Sequence, residues 1–173
     1  MTKLNRVLVT GGGGFIGSHV AAYYAERGID VTVVDNLSRA KTRNMTNKDE
    51  EIITHNWNFL NRSYQNIEFH QADIRDVPNI ENLVEGHDGV VHTAGQVAVT
   101  SSIQDPRTDF NINAKGTFNI LEAARKAQSD PAVVVASTNK VYGDNINQIS
   151  VREKETRYSY DDQQYEAGIP ESF

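Results

Sequence analysis

The run Val7-Leu8-Val9-Thr10-Gly11-Gly12-Gly13-Gly14-Phe15-Ile16-Gly17-Ser18 constrains the fold more than any other stretch of this chain. An apolar segment meets four consecutive glycines, and a helical pattern begins directly behind them. Glycines at a strand-to-helix junction permit a tight turn, let the backbone approach a ligand and let the helix pack close to the strand. The first turn of that helix offers unpaired N–H groups and a positive dipole end, which suits a pyrophosphate. Two registers fit: Gly12, Gly14 and Gly17 give G-x-G-x-x-G, while Gly11, Gly14 and Gly17 give G-x-x-G-x-x-G. A glycine-rich loop without a ligand is the plainer alternative. Context argues against it, because a second strand ends in an acid, Asp35, about 20 residues on, where a ribose diol needs an acceptor. The stretch reads as a dinucleotide site.

Behind the glycines, Ile16, Val20 and Tyr23 recur at helical spacing, which predicts a helix lying on a sheet through that stripe, with Gly28 closing it. Ile29 to Asp35 reads as a buried strand. A carboxylate at its end accepts both ribose hydroxyls of NAD and repels the 2′-phosphate of NADP. Arg39 is the one nearby residue that argues the other way. From Ala40 to Gln65 the apolar face is ragged (Met45, Ile52, Ile53, Trp57, Leu60), as in a peripheral helix and loop. Ile67 to Gln71 predicts a short strand, and Asp73 just past it is placed to accept from an adenine amino group. Asp76 reads as the cap of a helix over Val77 to Glu85.

Gly89 to Gly95 predicts a fourth strand running into small residues, so that Ala94, Gly95 and Gln96 pass beside a bound cofactor. His92 reads as a packed, hydrogen-bonded residue and not as a catalytic one. Asp109 to Ala127 predicts one long helix with Phe110, Ala114, Phe118, Leu121 and Ala124 facing inward, and Ala132 to Ala136 a fully buried fifth strand. That strand delivers Ser137-Thr138 at its carboxyl end, where ligands sit in open α/β sheets. The alternation of strands and helices predicts an α/β fold, a Rossmann-type doubly wound parallel sheet incomplete at its C-terminal side. Residues 1–146 form its NAD-binding part. Residues 147–173 read as a polar tail without strand signal, which leaves the fifth strand as a sheet edge.

Composition narrows the function classes. A chain of 173 residues can bury one sizeable core, and its net charge of −6 argues against nucleic-acid and anionic-membrane partners. There is no cysteine, hence no disulfide or thiolate metal site, and the five histidines lack metal-ligand spacing. No apolar stretch approaches the ~20 residues of a membrane span, and no signal-peptide pattern opens the chain, so a cytoplasmic protein is expected.

An ordered set of motifs goes further: Thr10-Gly11-x-x-Gly14-x-x-Gly17, Asp35-Asn36-Leu37-Ser38, Ala72-Asp73-Ile74-Arg75, His92-x-Ala94-Gly95, Asn113-x-x-Gly116-Thr117 and Ser137-Thr138-x-x-Val141-Tyr142-Gly143. Together these resemble the extended short-chain dehydrogenase/reductase superfamily, across residues 7 to 143 and in the expected order. The run from His92 to Pro106, with Ser137 to Gly143, is most similar to the CDP-paratose (CDP-tyvelose) 2-epimerases. The resemblance implies the Gly11-Gly14-Gly17 register and NAD as cofactor. It implies cofactor contacts from Gly11, Gly14, Phe15, Ile16, Gly17, Asp35, Asn36, Ser38, Asp73, Ile74, Ala94, Gly95, Gln96 and Asn113. It also implies a nucleotide-sugar substrate, a CDP-sugar being favoured, and homo-oligomers among full-length relatives. In such enzymes hydride passes from the sugar to the nicotinamide and returns to the other face, so the protein supplies orientation and an acid/base group. Thr138 matches the Ser/Thr that hydrogen-bonds the reacting sugar hydroxyl.

One departure stands out. The family's acid/base is the tyrosine of Tyr-x-x-x-Lys, and no tyrosine here has a lysine four residues on. The expectation is therefore the N-terminal, cofactor-binding part of a truncated epimerase, inactive alone. A non-catalytic NAD-binding module is the alternative. A sugar-nucleotide dehydratase fits less well, because Asn139-Lys140 stands where dehydratases carry Asp-Glu, and an amide cannot supply the proton that elimination needs.

Overall fold

The computed structural model describes residues 4–38, 54–138 and 140–173. The backbone divides into two compact units, Met1–Ala136 and Ser137–Phe173. The first unit is a five-stranded parallel sheet in the order β3-β2-β1-β4-β5. Its strands are β1 (Arg6–Thr10), β2 (Asp30–Asp35), β3 (Ile67–Gln71), β4 (Gly89–His92) and β5 (Ala132–Val135). β1 is central, with Val9 level with Val33 of β2 and with Val91 of β4.

Alternation along these strands feeds two apolar layers. On one face Val7, Val9, Val31 and Val33 pack against Ala21 and Ala25 of α1 (Phe15–Ala25) and Leu60 of α2 (His55–Ser63). On the other, Leu8, Val34 and Val90 pack against Ile80 and Val84 of α3 (Val77–Val84) and against Ile120 and Ala123 of α6 (Thr117–Lys126). Between β4 and α6 lie α4 (Val99–Gln104), α5 (Pro106–Phe110) and a π-helical turn, Asn111–Gly116. The fold is the expected doubly wound sheet. Met45, Ile52 and Ile53 of the ragged stretch, and Arg39, lie outside the described residues.

Four local expectations are corrected. Of the α1 stripe Ile16, Val20 and Tyr23, only Val20 packs, half-buried, against the layer on the sheet. The buried residues of α1 are Gly17, Ser18, Ala21 and Ala25, because only small side chains let the helix axis approach β1 so closely. Ile16 and Tyr23 are 59% and 51% exposed, and with Phe15, His19, Val91 and Val134 they line an apolar groove of about 500 Å³.

The single helix over Asp109 to Ala127 is instead α5, the π turn and α6. The extra residue in that turn rotates the inward stripe. Asn119, Ile120, Ala123 and Ala124 are buried, while Phe110 and Phe118 are 63% and 62% exposed. β5 is not fully buried: among the described residues it pairs only with β4, and Val134 is 62% exposed at this edge. The tail does hold strands. β6 (Val151–Glu153) and β7 (Tyr158–Tyr160) form an antiparallel pair within the second unit, each too short to show as a pattern.

Candidate functional site

Strand order reverses at β1, with β2 and β3 to one side and β4 and β5 to the other. Open α/β sheets bind ligands in the crevice outside the carboxyl ends of the strands at that point. Here the crevice lies between the turn after β1 and the segment after β4. Gly11 enters the turn with φ +73°, and its N–H donates to the Val34 carbonyl at 2.7 Å. A Cβ on Gly11 would lie 2.6 Å from the Ala94 nitrogen, and one on Gly17 would overlap the Gly11 carbonyl. Gly12, a member of the G-x-G-x-x-G register but not of the other, is also confined, by the Val33 side chain. Gly14 caps α1 without a side chain and has only the Gly11 carbonyl, at 3.1 Å, near its missing Cβ. The first turn at Phe15 and Ile16 is exposed, and since first-turn N–H groups have no partner within their own helix, it opens onto a bare backbone cradle.

Asp35 ends β2 against that cradle. Its Oδ2 accepts from the Gly13 N–H at 3.0 Å, and its Oδ1 from the Leu37 N–H at 2.8 Å. A carboxylate has about four lone-pair positions, so among the described residues one acceptor on each oxygen stays open, which matches a diol. Leu37 takes φ +53° to complete this turn, and the Asn36 Oδ1 accepts from the Ser38 N–H at 2.9 Å.

Asp73 is more fully engaged. Arg75 donates to its Oδ1 from the backbone N–H at 2.9 Å and from Nε at 2.8 Å, and to its Oδ2 from Nη2 at 2.7 Å. Asn36 donates to the Oδ2 at 2.9 Å. The Arg75 guanidinium, before any other cause, holds this carboxyl well below the usual carboxylate range. Ile74 is buried in the core. Asp76 occupies the cap position of α3, but its side chain makes no capping hydrogen bond.

At the end of β4 a directed chain of hydrogen bonds crosses the sheet. The Thr117 hydroxyl donates to the Asn113 carbonyl at 2.7 Å, so it accepts from His92 Nε2, 2.9 Å away. His92 Nδ1 is then the acceptor for the Thr10 hydroxyl at 2.6 Å. His92 is packed and bonded, as its setting in the sequence suggests, and Thr10 and Thr117 are partners that sequence reading missed. Burial holds this imidazole below the ordinary histidine value. It does the same for His87, whose Nε2 lies 2.8 Å from the Thr32 hydroxyl.

Both histidines have folded-state values below the unfolded value near 6.5. The unfolded chain therefore takes up protons first as pH falls, and stability present above that value is lost below it. Chemical denaturation between pH 7.5 and 5.5 should show this loss, at up to about 1.4 kcal/mol per pH unit for each imidazole. His92→Asn should remove part of the slope whatever its own stability. A flat profile in the parent chain would refute the assignment.

Beyond β4, Asn113 holds the neighbouring backbone. Its Oδ1 accepts from the Gln96 N–H at 2.8 Å, and its Nδ2 donates to the Gln96 carbonyl at 3.1 Å. A Cβ on Gly95 would come within 3.2 Å of the same Oδ1, and Ala94 stands beside Gly11. Thr138 belongs to the second unit, where its exposed hydroxyl accepts from the Lys140 N–H at 3.2 Å. The same unit packs Tyr142 and Tyr165 edge-on against Phe173. Among the described residues no three His, Asp or Glu side chains are grouped to hold a metal, and no helix is long and apolar enough to cross a membrane.

Comparison with known proteins bears on the same features. Residues 7–167 match the sequence model of the NAD dependent epimerase/dehydratase family. CDP-paratose 2-epimerase of Salmonella typhi is 42% identical over 156 residues, which cover 89% of this chain and 42% of that protein. UDP-glucose 4-epimerase of Thermotoga maritima, solved with UDP-glucose, superposes with a TM-score of 0.62 at 33% identity, over 81% of this chain and 40% of that one. The Bordetella bronchiseptica enzyme WbmF, solved with NAD+, gives 0.61 at 27% identity, over 80% of this chain and 38% of that one. The chain spans about two fifths of the length of these relatives. On the match over residues 7–167, the chain belongs to the NAD dependent epimerase/dehydratase family.

Proposed function

We propose that this chain is the NAD-binding part of a nucleotide-sugar epimerase similar to CDP-paratose 2-epimerase, with a CDP-linked sugar as the favoured substrate. The observation that carries the reading is Asp35, fixed by two backbone amides beside a glycine cradle and keeping, among the described residues, one open acceptor on each oxygen. NAD bound there supplies the group that takes a hydride from the sugar and returns it. Gly11, Gly14 and Gly17 leave room for the pyrophosphate, and the N–H groups of Phe15 and Ile16 face it. Asp35 takes the ribose hydroxyls. Asn36, Ser38, Asp73 and Ile74 shape the adenine end. Ala94, Gly95 and Gln96 flank the nicotinamide ribose, with Asn113 holding their backbone. Thr138 orients the reacting hydroxyl. The cofactor part is assigned to residues 1–146, and the polar tail from 147 to 173 is assigned as leading in sequence toward a catalytic helix and substrate domain that these 173 residues lack.

A threonine hydroxyl is a poor base at neutral pH and acts with a partner that takes the proton. No tyrosine in these 173 residues has a lysine four positions on, which also favours a second reading, an NAD-binding module without turnover. Acid/base assistance contributes ~10²–10⁴-fold, so CDP-paratose incubated with this chain and NAD should epimerise near the uncatalysed rate. A longer protein that adds Tyr-x-x-x-Lys should turn over, and Thr138→Val in it should slow epimerisation again. Robust turnover by the 173-residue chain would overturn the acid/base assignment. An inactive longer protein that binds NAD would favour the module.

A further inference from the structure

The segment after β4 is held in an unusual way. α4 buries none of its residues, and Val97, Val99 and Ile103 all stand exposed. Apolar packing therefore does little to fix residues 95–104, although they border the crevice. A polar hub is present instead. The Asp109 Oδ1 receives the Ser102 hydroxyl at 2.7 Å, the Asn113 Nδ2 at 3.1 Å and the Gln96 Nε2 at 3.4 Å. Gln96 Nε2 also donates to the Ser102 Oγ at 2.9 Å. Asn113 closes the ring through its two bonds to the Gln96 backbone. The donors come from the loop after β4, from α4 and from the π turn, so one carboxylate oxygen joins three separate pieces of chain.

We propose that Asp109 is a positioning residue for the cofactor, its carboxylate gathering Gln96, Ser102 and Asn113 into a clasp that holds residues 95–104 as one wall of the NAD crevice. The proposal rests on the reading of that crevice as the NAD site. Hydrogen bonds to a charged acceptor are among the stronger ones, and ordering a loop beforehand removes that cost from binding. Asp109 touches no reacting atom and acts through the backbone of Gln96.

The test uses the 173-residue chain and NAD itself. Asp109→Leu removes the acceptor and puts a bulkier apolar side chain in its place, whereas Asp109→Asn is nearly isosteric and keeps an Oδ1 in the same place. Calorimetric titration should show NAD binding weakened about tenfold or more in the leucine variant and close to the parent in the asparagine variant. Amide hydrogen exchange should rise in the leucine variant over residues 96–104 and stay unchanged in β1 and β2. Should Asp109→Leu fail to fold, Ser102→Ala removes one donor from the exposed side and should weaken NAD binding severalfold. Unchanged NAD affinity in Asp109→Leu, or in Ser102→Ala if that is the variant left, would overturn the proposal. So would an asparagine variant as impaired as the leucine one. A parent chain that takes up no NAD, with exchange at 96–104 still raised by Asp109→Leu, would instead sink the cofactor reading and the clasp's link to it.

Discussion

Gly11→Ala is expected to destabilise the chain by about 3 kcal/mol or more and to abolish NAD binding. Two costs add. An L-residue held at φ +73° costs ~1–2 kcal/mol, and the new Cβ would sit 2.6 Å from the Ala94 nitrogen, where backbone meets backbone. Overpacking adds roughly 1–3 kcal/mol, and neither side has a flexible end that can yield. Gly28→Ala is the control, because Gly28 shares φ +73° with nothing within 4 Å of its missing Cβ. It should lose only about 1 kcal/mol and leave NAD affinity alone. Urea denaturation with NAD titration separates the two variants. Equal losses would mean that backbone conformation, and not the close approach of β1 to β4, makes Gly11 necessary.

Asp35→Ala should weaken NAD binding by roughly 1–3 kcal/mol, about 5- to 150-fold in Kd, and narrow the preference over NADP. The wild-type carboxylate is held by the Gly13 and Leu37 amides, so it cannot swing away from an added phosphate. That phosphate would meet a fixed like charge, whereas a diol meets two open acceptors. Titration of parent and variant with both cofactors measures the effect. Equal or tighter NADP binding by the parent chain would end the argument.

The sheet was legible because each strand is a short apolar or alternating run bounded by glycine, proline or polar residues, and periodicity sees such runs well. Ile67 to Gln71 matches β3 residue for residue. Periodicity sees hydrophobicity and not crowding, which explains α1. Its apolar stripe was plain to read, but approach to β1 selects Gly17, Ser18 and Ala21, so Ile16 and Tyr23 stand outside. The glycine cradle and Asp35 could be placed from sequence because their chemistry is local to one strand–turn–helix and the next strand end. Asp109 could not. Its partners are brought to it by tertiary structure, and an acid between Thr108 and Phe110 carries no mark of that role. The engagement of Asp73 is partly local: three of its four bonds come from Arg75, two residues away, and the fourth from the distant Asn36.

The π turn at Asn111–Gly116 sets the chain's tolerance of length changes. An α-helix advances about 100° per residue, so removing one residue from this turn would let α5 and α6 merge while swinging everything on one side by that angle. Gly116 cannot absorb the swing, because a Cβ there would already lie 2.8 Å from Ile74 Cγ1. The rotation falls on Asn113 and Asp109, and both would leave Gln96. A shortened helix here would read as more regular and bind worse: its irregular turn is the phase correction that lets one rod serve the core at one end and the crevice at the other.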